Sequence, residues 1–460
     1  MSDPTTLKID GARYIVTMDP ERRIVADGSV VITGNRISQV GKAADLASVT
    51  ADRTIDGSGI VLTPGFVNGH MHISYAHAAR GLFPDDLGAE YLPNVFRLQQ
   101  AMTADDEYAT SLLAIVELLK YGTTTFIDPG TTTHLDECLA AYDLAGCRIV
   151  IGRSVQDRPN PLNLPVYGTD AAIQATEDVV SLADRLPGDL VSAWSMPFSA
   201  EFCTPELLAA CDRIAADHAT RSTLHFTNGP RWIAECRRTH GCSPTEYLDR
   251  CGALNTRMTL AHCLGIDTDE AKLIADRGSA VVMCPTAAVK GGAGTASHGL
   301  LPELLEFGAT VGLGTDAGNN SNLLETLRSV YLAAVLYKDG RRDVSMIPAE
   351  TALELGTIGG AAALGMDHLI GSVEPGKAAD LVLFDTRRAE WGALHNPINS
   401  LVYNADGRSV HTVIVDGKVV VGDHRPLFAD EAALVEEVQT RGEALLKRTS
   451  VAFAPRWPVV

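Results

Sequence analysis

The chain has 460 residues, 46% of them hydrophobic, with 41 glycines and a formal charge of −19. That charge, with no basic stripe to offset it, argues against nucleic acid as a partner and for an ordinary acidic, soluble surface. No run of about 18 apolar residues is present to span a membrane. The start, "MSDPTTLKID", lacks a basic segment followed by an apolar one, and the nine cysteines include no Cys-x-x-Cys pair. A reduced, cytoplasmic protein is the expectation.

The first 60 residues read as short strands. "RYIVTMD", "SVVITGN" and "RISQVG" are rich in β-branched residues, and Gly34-Asn35 supplies a hairpin turn. The next apolar run ends in "PGFVNGHMHIS", residues 64–74, with His70 and His72 two positions apart. Alternate side chains of a strand share a face, so these imidazoles would converge, as ligands of a divalent metal do. Thr103 and Asp106 then frame a capping box before "EYATSLLAIVELLKYG". Further strand-like runs are "TTTFIDPG", "CRIVIGRS", "LVSAWSMP", "STLHFTN", "RMTLAHC", "SAVVMCP" and "ATVGLGTD". Thr204-Pro205 opens a helix between the fourth and fifth of the eight runs. Eight β-α units over roughly 300 residues point to a closed parallel TIM barrel rather than an open sheet. No Gly-x-Gly-x-x-Gly follows the first strand, which weakens a dinucleotide alternative. Near the end, "ADLVLFD" and "VHTVIVDGKVVVGD" restore the strand-only texture, with a second hairpin signal at Asp416-Gly417. The expected architecture is α/β, a (β/α)8 barrel over 64–370 carrying a composite β-sandwich. Residues 1–63 and 371–428 would build the sandwich, and 429–460 a C-terminal helix and tail.

Ionisable residues fall where such a barrel places its active site. His70 and His72 close the first run, His225 lies in the fifth, His262 in the sixth, and Asp316 closes the eighth. A core strand has no packing reason to finish in His or Asp. Asp316 also adds the negative charge that a histidine cluster alone would not give a dication.

"TPGFVNGHMH", "LHFTN", "LAHC", "LGTDAGNNSN" and "GSVEPGKAADLVLFD" resemble the motifs of the amidohydrolase superfamily. More narrowly, they are similar to its branch with cytosine deaminase and atrazine chlorohydrolase. The resemblance runs from the N-terminal strands to about residue 425 and implies a distorted (β/α)8 barrel with a composite β-sandwich. It implies one catalytic divalent metal, zinc foremost, with cobalt, manganese or iron as alternatives. The ligands carried over are His70, His72, His225 and Asp316, with His262 beside a metal-bound water and Asp316 as proton carrier. At the end of strand four "WSMPFSAE" holds no lysine, and its one carboxylate, Glu201, lies further on, so a single metal is expected.

One departure stands out. The deaminases of this branch carry a glutamate three residues after the strand-five histidine, where this chain has Asn228. An asparagine amide cannot shuttle a proton, but it can donate a hydrogen bond to a developing oxyanion. Asn228 therefore enters the catalytic set with Asp316 and His262. It steers the expected reaction toward hydrolysis of a C–N, or thiocarbamate C–S, bond at the carbonyl of a small urea, carbamate or amide. In this the chain resembles the phenylurea hydrolases and molinate hydrolase. Deamination or dechlorination of an N-heterocycle is the alternative, and a catalytically dead binding barrel a third. A homo-oligomer acting on a small molecule in xenobiotic degradation is expected. His77, Arg80, His298, Trp194 and Phe198 could line the mouth or simply pack. Cys263 and Cys284 read as small core residues.

Overall fold

The computed structural model describes residues 6–459, apart from the side chain of Asn228. Eight short strands form the barrel: Phe66–Asn68, Thr123–Ile127, Arg148–Ile151, Val191–Ala193, Ser222–Asn228, Met258–Leu264, Ala280–Met283 and Val311–Leu313. They pair in parallel, the first four in one run and the last four in another. A bridge between Ser195 and Ser222 joins the runs on one side. On the other, the Gly69 N–H donates to the Leu313 carbonyl at 2.8 Å, and the cylinder closes. The strands lie within the eight predicted runs, give or take one residue. The fourth run is interrupted, resuming at Met196–Pro197, which pairs with Ser154–Val155.

The period of two sorts the barrel's side chains. Val67, Ile127, Val150 and Trp194 fill the interior together with Ala361 and Leu364. Phe66, Phe126, Ile149, Leu224, Phe226 and Leu260 instead join the large apolar cluster shared with the surrounding helices. Helix Ala104–Lys120 starts with the predicted capping box: the Asp106 N–H donates to Thr103 Oγ1 at 3.3 Å, and the Thr103 N–H to Asp106 Oδ2 at 3.0 Å. Thr204 caps helix Pro205–Asp217 through the Leu207 N–H at 3.2 Å. Among the described residues, no helix is long and apolar enough to cross a membrane.

Both chain ends contribute to one nine-stranded sheet, and the seam is Ile60–Pro64 running antiparallel to Leu381–Asp385. Ile60, Leu62, Leu381 and Leu383 pack into a core with Ile9, Ile15, Ile32 and Ile414. The intervening Val61, Val382 and Phe384 join the barrel's cluster instead. The seam strands are therefore buried on both faces, which is why they read as unbroken apolar runs. Both predicted hairpins form, joining Ile24–Thr33 to Arg36–Lys42 and Val410–Val415 to Lys418–Gly422. Asp416 and Gly417 take the left-handed φ values, 48° and 78°, that a two-residue hairpin turn requires. Arg148, at the start of the third barrel strand, reaches the buried Asp380, the residue before strand Leu381–Asp385, at 2.9 Å. Removing one partner of such a buried pair would cost about 3–5 kcal/mol. Helix Glu431–Thr449 packs against helix Ala104–Lys120.

Candidate metal and catalytic site

The His-x-His pair does not sit on a strand as the spacing suggested. Ladder pairing of the first strand ends at Asn68. Beyond it, the His70 carbonyl accepts the Thr315 and Asp316 N–H groups at 3.2 and 2.9 Å. The Asn68 side chain completes the splice, donating to Thr315 Oγ1 at 2.8 Å and accepting from the Thr315 N–H at 3.1 Å. These bonds replace sheet pairing and bring the ends of strands one and eight together. His70 and Asp316 become neighbours through backbone, not by strand alternation.

His225 follows the alternation: Leu224 and Phe226 face the helices, and His225 faces inward. His262 does not. Leu260 faces outward, so strict alternation would send His262 outward as well. Instead His262 and Cys263 have φ values of 78° and 53°, which turn His262 into the cavity and Cys263 into the apolar cluster. Thr227 and Asp316 are also left-handed, at 49° and 62°. Backbone of this kind costs about 1 kcal/mol or more per residue and persists where surrounding structure enforces it.

The four imidazoles meet in one buried cluster. The His70 ring lies 5.1 Å from His72, 4.9 Å from His225 and 4.7 Å from His262. The donor atoms of His70, His72 and His225 lie within 4.8 Å of one another, the one such cluster of three among the described residues. Asp316 Oδ1 stands 3.5 Å from His72 Nε2 and 4.0 Å from His70 Nε2. Burial, reinforced by the neighbouring imidazoles, pushes His70 and His72 well below their ordinary pKa. Burial also lowers His225 and His262 to about 4. Burial raises the Asp316 carboxyl, against hydrogen bonds from the Ala317 N–H at 2.7 Å and Asn320 Nδ2 at 2.8 Å.

This donor set fits a divalent cation. His72 Nδ1–H donates to Thr131 Oγ1 at 3.1 Å, and Thr131 in turn donates to Asp128 Oδ1 at 3.1 Å. His225 Nδ1–H donates to the Phe198 carbonyl at 3.2 Å. Both rings are thereby held as tautomers whose Nε2 carries a lone pair. Those two Nε2 atoms face each other at 3.3 Å, and both nitrogens of buried His70 lack any partner. Converging lone pairs repel each other, whereas a cation among them would satisfy all three.

A cavity of about 340 Å³ opens onto His72, His225, His262 and Asp316. Its walls are Tyr75, Phe83, Tyr91, Phe96, Phe198 and Trp232, with Asp85 and Lys290 also along the lining. Of the other candidates for the mouth, Phe198 lines it, while Trp194 packs inside the barrel and His298 is exposed away from it. Cys263 and Cys284 are buried in apolar clusters. Glu201 is buried in the turn Ala200–Phe202 beside helix Pro230–His240 and does not line the cavity. The Asn228 side chain lies outside the described part of the molecule. Asp128 is a residue that motif reading does not reach. It ends the second strand's run as Asp316 ends the eighth, but it acts through Thr131.

A closed α/β barrel with a three-histidine cluster and an aspartate at its C-terminal mouth defines a metal-dependent hydrolase. The chain belongs to the amidohydrolase family, which matches residues 61–420. It is 33% identical over 428 residues to the 5-methylthioadenosine/S-adenosylhomocysteine deaminase of Syntrophobacter fumaroxidans, covering 92% of this chain and 95% of that protein. It is 31% identical over 411 residues to the 5'-deoxyadenosine deaminase of Methanothermobacter thermautotrophicus, covering 89% and 92%. Among solved structures, an adenosine deaminase from Xanthomonas campestris with bound zinc superposes with a TM-score of 0.87 at 26% identity, covering 97% and 99%. Atrazine chlorohydrolase TrzN from Arthrobacter aurescens TC1, complexed with zinc, gives 0.85 at 25%, covering 95% and 100%.

Proposed function

We propose that this metal-dependent hydrolase acts at a ring carbon of an N-heterocycle, releasing ammonia from an amino-substituted purine or a similar ring. The observation that carries this is the site itself: three histidines and Asp316 at the floor of a cavity walled by aromatic side chains, suited to a flat ring. The deaminase names of the relatives support the heterocycle over the carbonyl substrate that Asn228 alone suggests. His70, His72, His225 and Asp316 would hold the cation. When bound, a divalent cation brings the pKa of water down to about 7 and acts as a Lewis acid.

The residues do the rest. Asp316 accepts the proton of the attacking water and returns it to the leaving amino group, which departs as ammonia. The Ala317 N–H and Asn320 fix its two oxygens while this happens. His262, kept neutral by burial, presents its ring to the reacting centre as a hydrogen-bonding group. The aromatic walls orient the ring and exclude water.

A second reading, hydrolysis at the carbonyl of a urea, carbamate or amide like that of the phenylurea hydrolases, is favoured by one observation. Asn228 stands where the resembling deaminases carry glutamate. The experiment that separates the two is a panel assayed with the zinc-loaded enzyme. Ammonia release from 5'-methylthioadenosine, adenosine and an aminotriazine is set against aromatic amine release from an N-phenylurea. Ammonia from the heterocycles supports the first reading; aromatic amine alone overturns it. Asn228 variants sharpen the outcome. If Asn228 donates to an oxyanion, Asn228→Ala lowers kcat on the urea by about 10²–10³-fold with little change in KM. Under the heterocycle reading, Asn228→Glu raises ammonia release instead.

A further inference from the structure

We propose that Glu117 is a positioning residue for the metal site, tying the loop after His72 to the loop after Asp316 through its two carboxylate oxygens. It rests on the metal-site assignment above but not on which bond is hydrolysed. Glu117 lies in the last turn of helix Ala104–Lys120, where the helix dipole disfavours a carboxylate. Its side chain is only 10% exposed. Neither helix stability nor solubility accounts for an acid in that place.

Its partners do. Oε2 accepts from His77 Nε2 at 2.7 Å and from the Arg80 guanidinium. His77 belongs to the single helical turn His77–Ala79, which follows His72 by five residues. Oε1 accepts from the Leu324 N–H at 2.9 Å, eight residues beyond Asp316. The two loops also meet directly. A Cβ on Gly318 would lie 3.3 Å from Arg80 Nη2 and 3.4 Å from His77 Cε1, so the Asp316 loop rests against both side chains. The same helix also receives the first loop through Thr110, whose hydroxyl donates to the Ser74 carbonyl. Burial alone would raise the Glu117 carboxyl, but the hydrogen bond from His77, a ring that burial keeps neutral, and the charge of Arg80 outweigh it and hold it at about 2. The bridge therefore stays ionised wherever the enzyme would work.

A cation bound by His72 and Asp316 needs both loops at a fixed separation. The His70 carbonyl and Asn68 tie the two segments at their roots, but without the bridge the loops beyond lose their shared anchor, and the ligands that depend on their spacing are held less firmly. An ion pair serving only the fold would lower stability and leave metal retention untouched.

The test uses the full chain loaded with zinc and follows zinc release to a chelator, a readout that needs no substrate. Glu117→Ala should release zinc about tenfold faster than the parent, at the low end of what ligand-supporting residues give. Glu117→Gln, which keeps an acceptor for Leu324 but not the charge for Arg80, should fall between. Arg80→Met, with Glu117 left in place, should speed release several-fold, and it decides the question should the Glu117 variants fail to fold. Parent-like release from a folded Glu117→Ala or from Arg80→Met, with or without a lower Tm, overturns the proposal. A failed substrate panel with accelerated zinc release would instead count against the reaction assigned above.

Discussion

The β-sheet domain and the mouth of the barrel are built to opposite rules. Among the described residues, the strands of the sheet contain no buried side-chain polar atom without a partner, and their core is aliphatic. The barrel mouth buries both nitrogens of His70 without partners and sets His72 Nε2 against His225 Nε2. It also holds His262, Cys263 and Asp316 in left-handed backbone at strand ends, while the sheet has left-handed Asp416 in a hairpin turn and Asp27 within strand Ile24–Thr33. Among the described residues, the strands of one region leave no buried side-chain polar atom unpaired. The other region gathers unpartnered imidazole nitrogens in one place, and a bound cation would satisfy them.

Variants should divide along that line, and the largest effect belongs at the mouth. Under the proposed mechanism, Asp316→Asn would remove a ligand charge and the proton carrier together. It should lower kcat by about 10³-fold or more while the fold survives, read from steady-state kinetics and circular dichroism. Substantial activity with metal still bound would show that the proton carrier is elsewhere. In the sheet the pattern reverses. Ile32→Ala, at a position 1% exposed in the aliphatic core, should cost about 2–5 kcal/mol in denaturant unfolding and leave kcat and metal content unchanged. A parallel loss of activity would mean the two regions are not separable.

The line can be sharpened one step from the metal. Thr131→Val keeps the shape but cuts the chain from Asp128 to His72. Zinc affinity should fall about tenfold, by chelator competition, with unfolding of the metal-free protein little changed. Equal affinity would show that His72 is oriented by packing alone. The smallest effect concerns Glu201, which burial raises to about 8 and whose Oε1 has no partner. Because its folded pKa lies above the unfolded one, its contribution to stability is intact below about 4.3 and is lost as pH rises toward 8. Glu201→Gln cannot ionise, so its Tm relative to the parent should improve between about pH 5 and about pH 8. A constant difference across that range would contradict the assignment.

Much of this was legible in the sequence, for identifiable reasons. Strand runs separated by capped helices mark the barrel, and hairpin turns mark the sheet, because Thr103 and Thr204 in the one and Gly34-Asn35 and Asp416-Gly417 in the other carry local chemistry that packing did not override. His70, His72, His225 and Asp316 stand out because an ionisable residue ending an apolar run has no packing reason to be there. The route by which they meet was not legible. His70 reaches Asp316 through backbone bonds outside any ladder, and His262 enters the cavity against its strand's alternation. Asp128 and Glu117 escape motif reading for a different reason. Their roles depend on partners brought near by the fold, as with Leu324, 207 residues from Glu117. The substrate was the least legible of all, because one residue, Asn228, pointed to a carbonyl while the relatives of the whole chain point to a ring.

The most direct measurement is metal content against activity. Protein stripped with a chelator should be inactive on any substrate the panel identifies. Titrated with zinc, it should regain full activity at one equivalent per chain, and His225→Ala should neither bind that equivalent nor recover. Activity in the stripped protein, or turnover that appears only at two equivalents, would contradict a single cation held by His70, His72, His225 and Asp316.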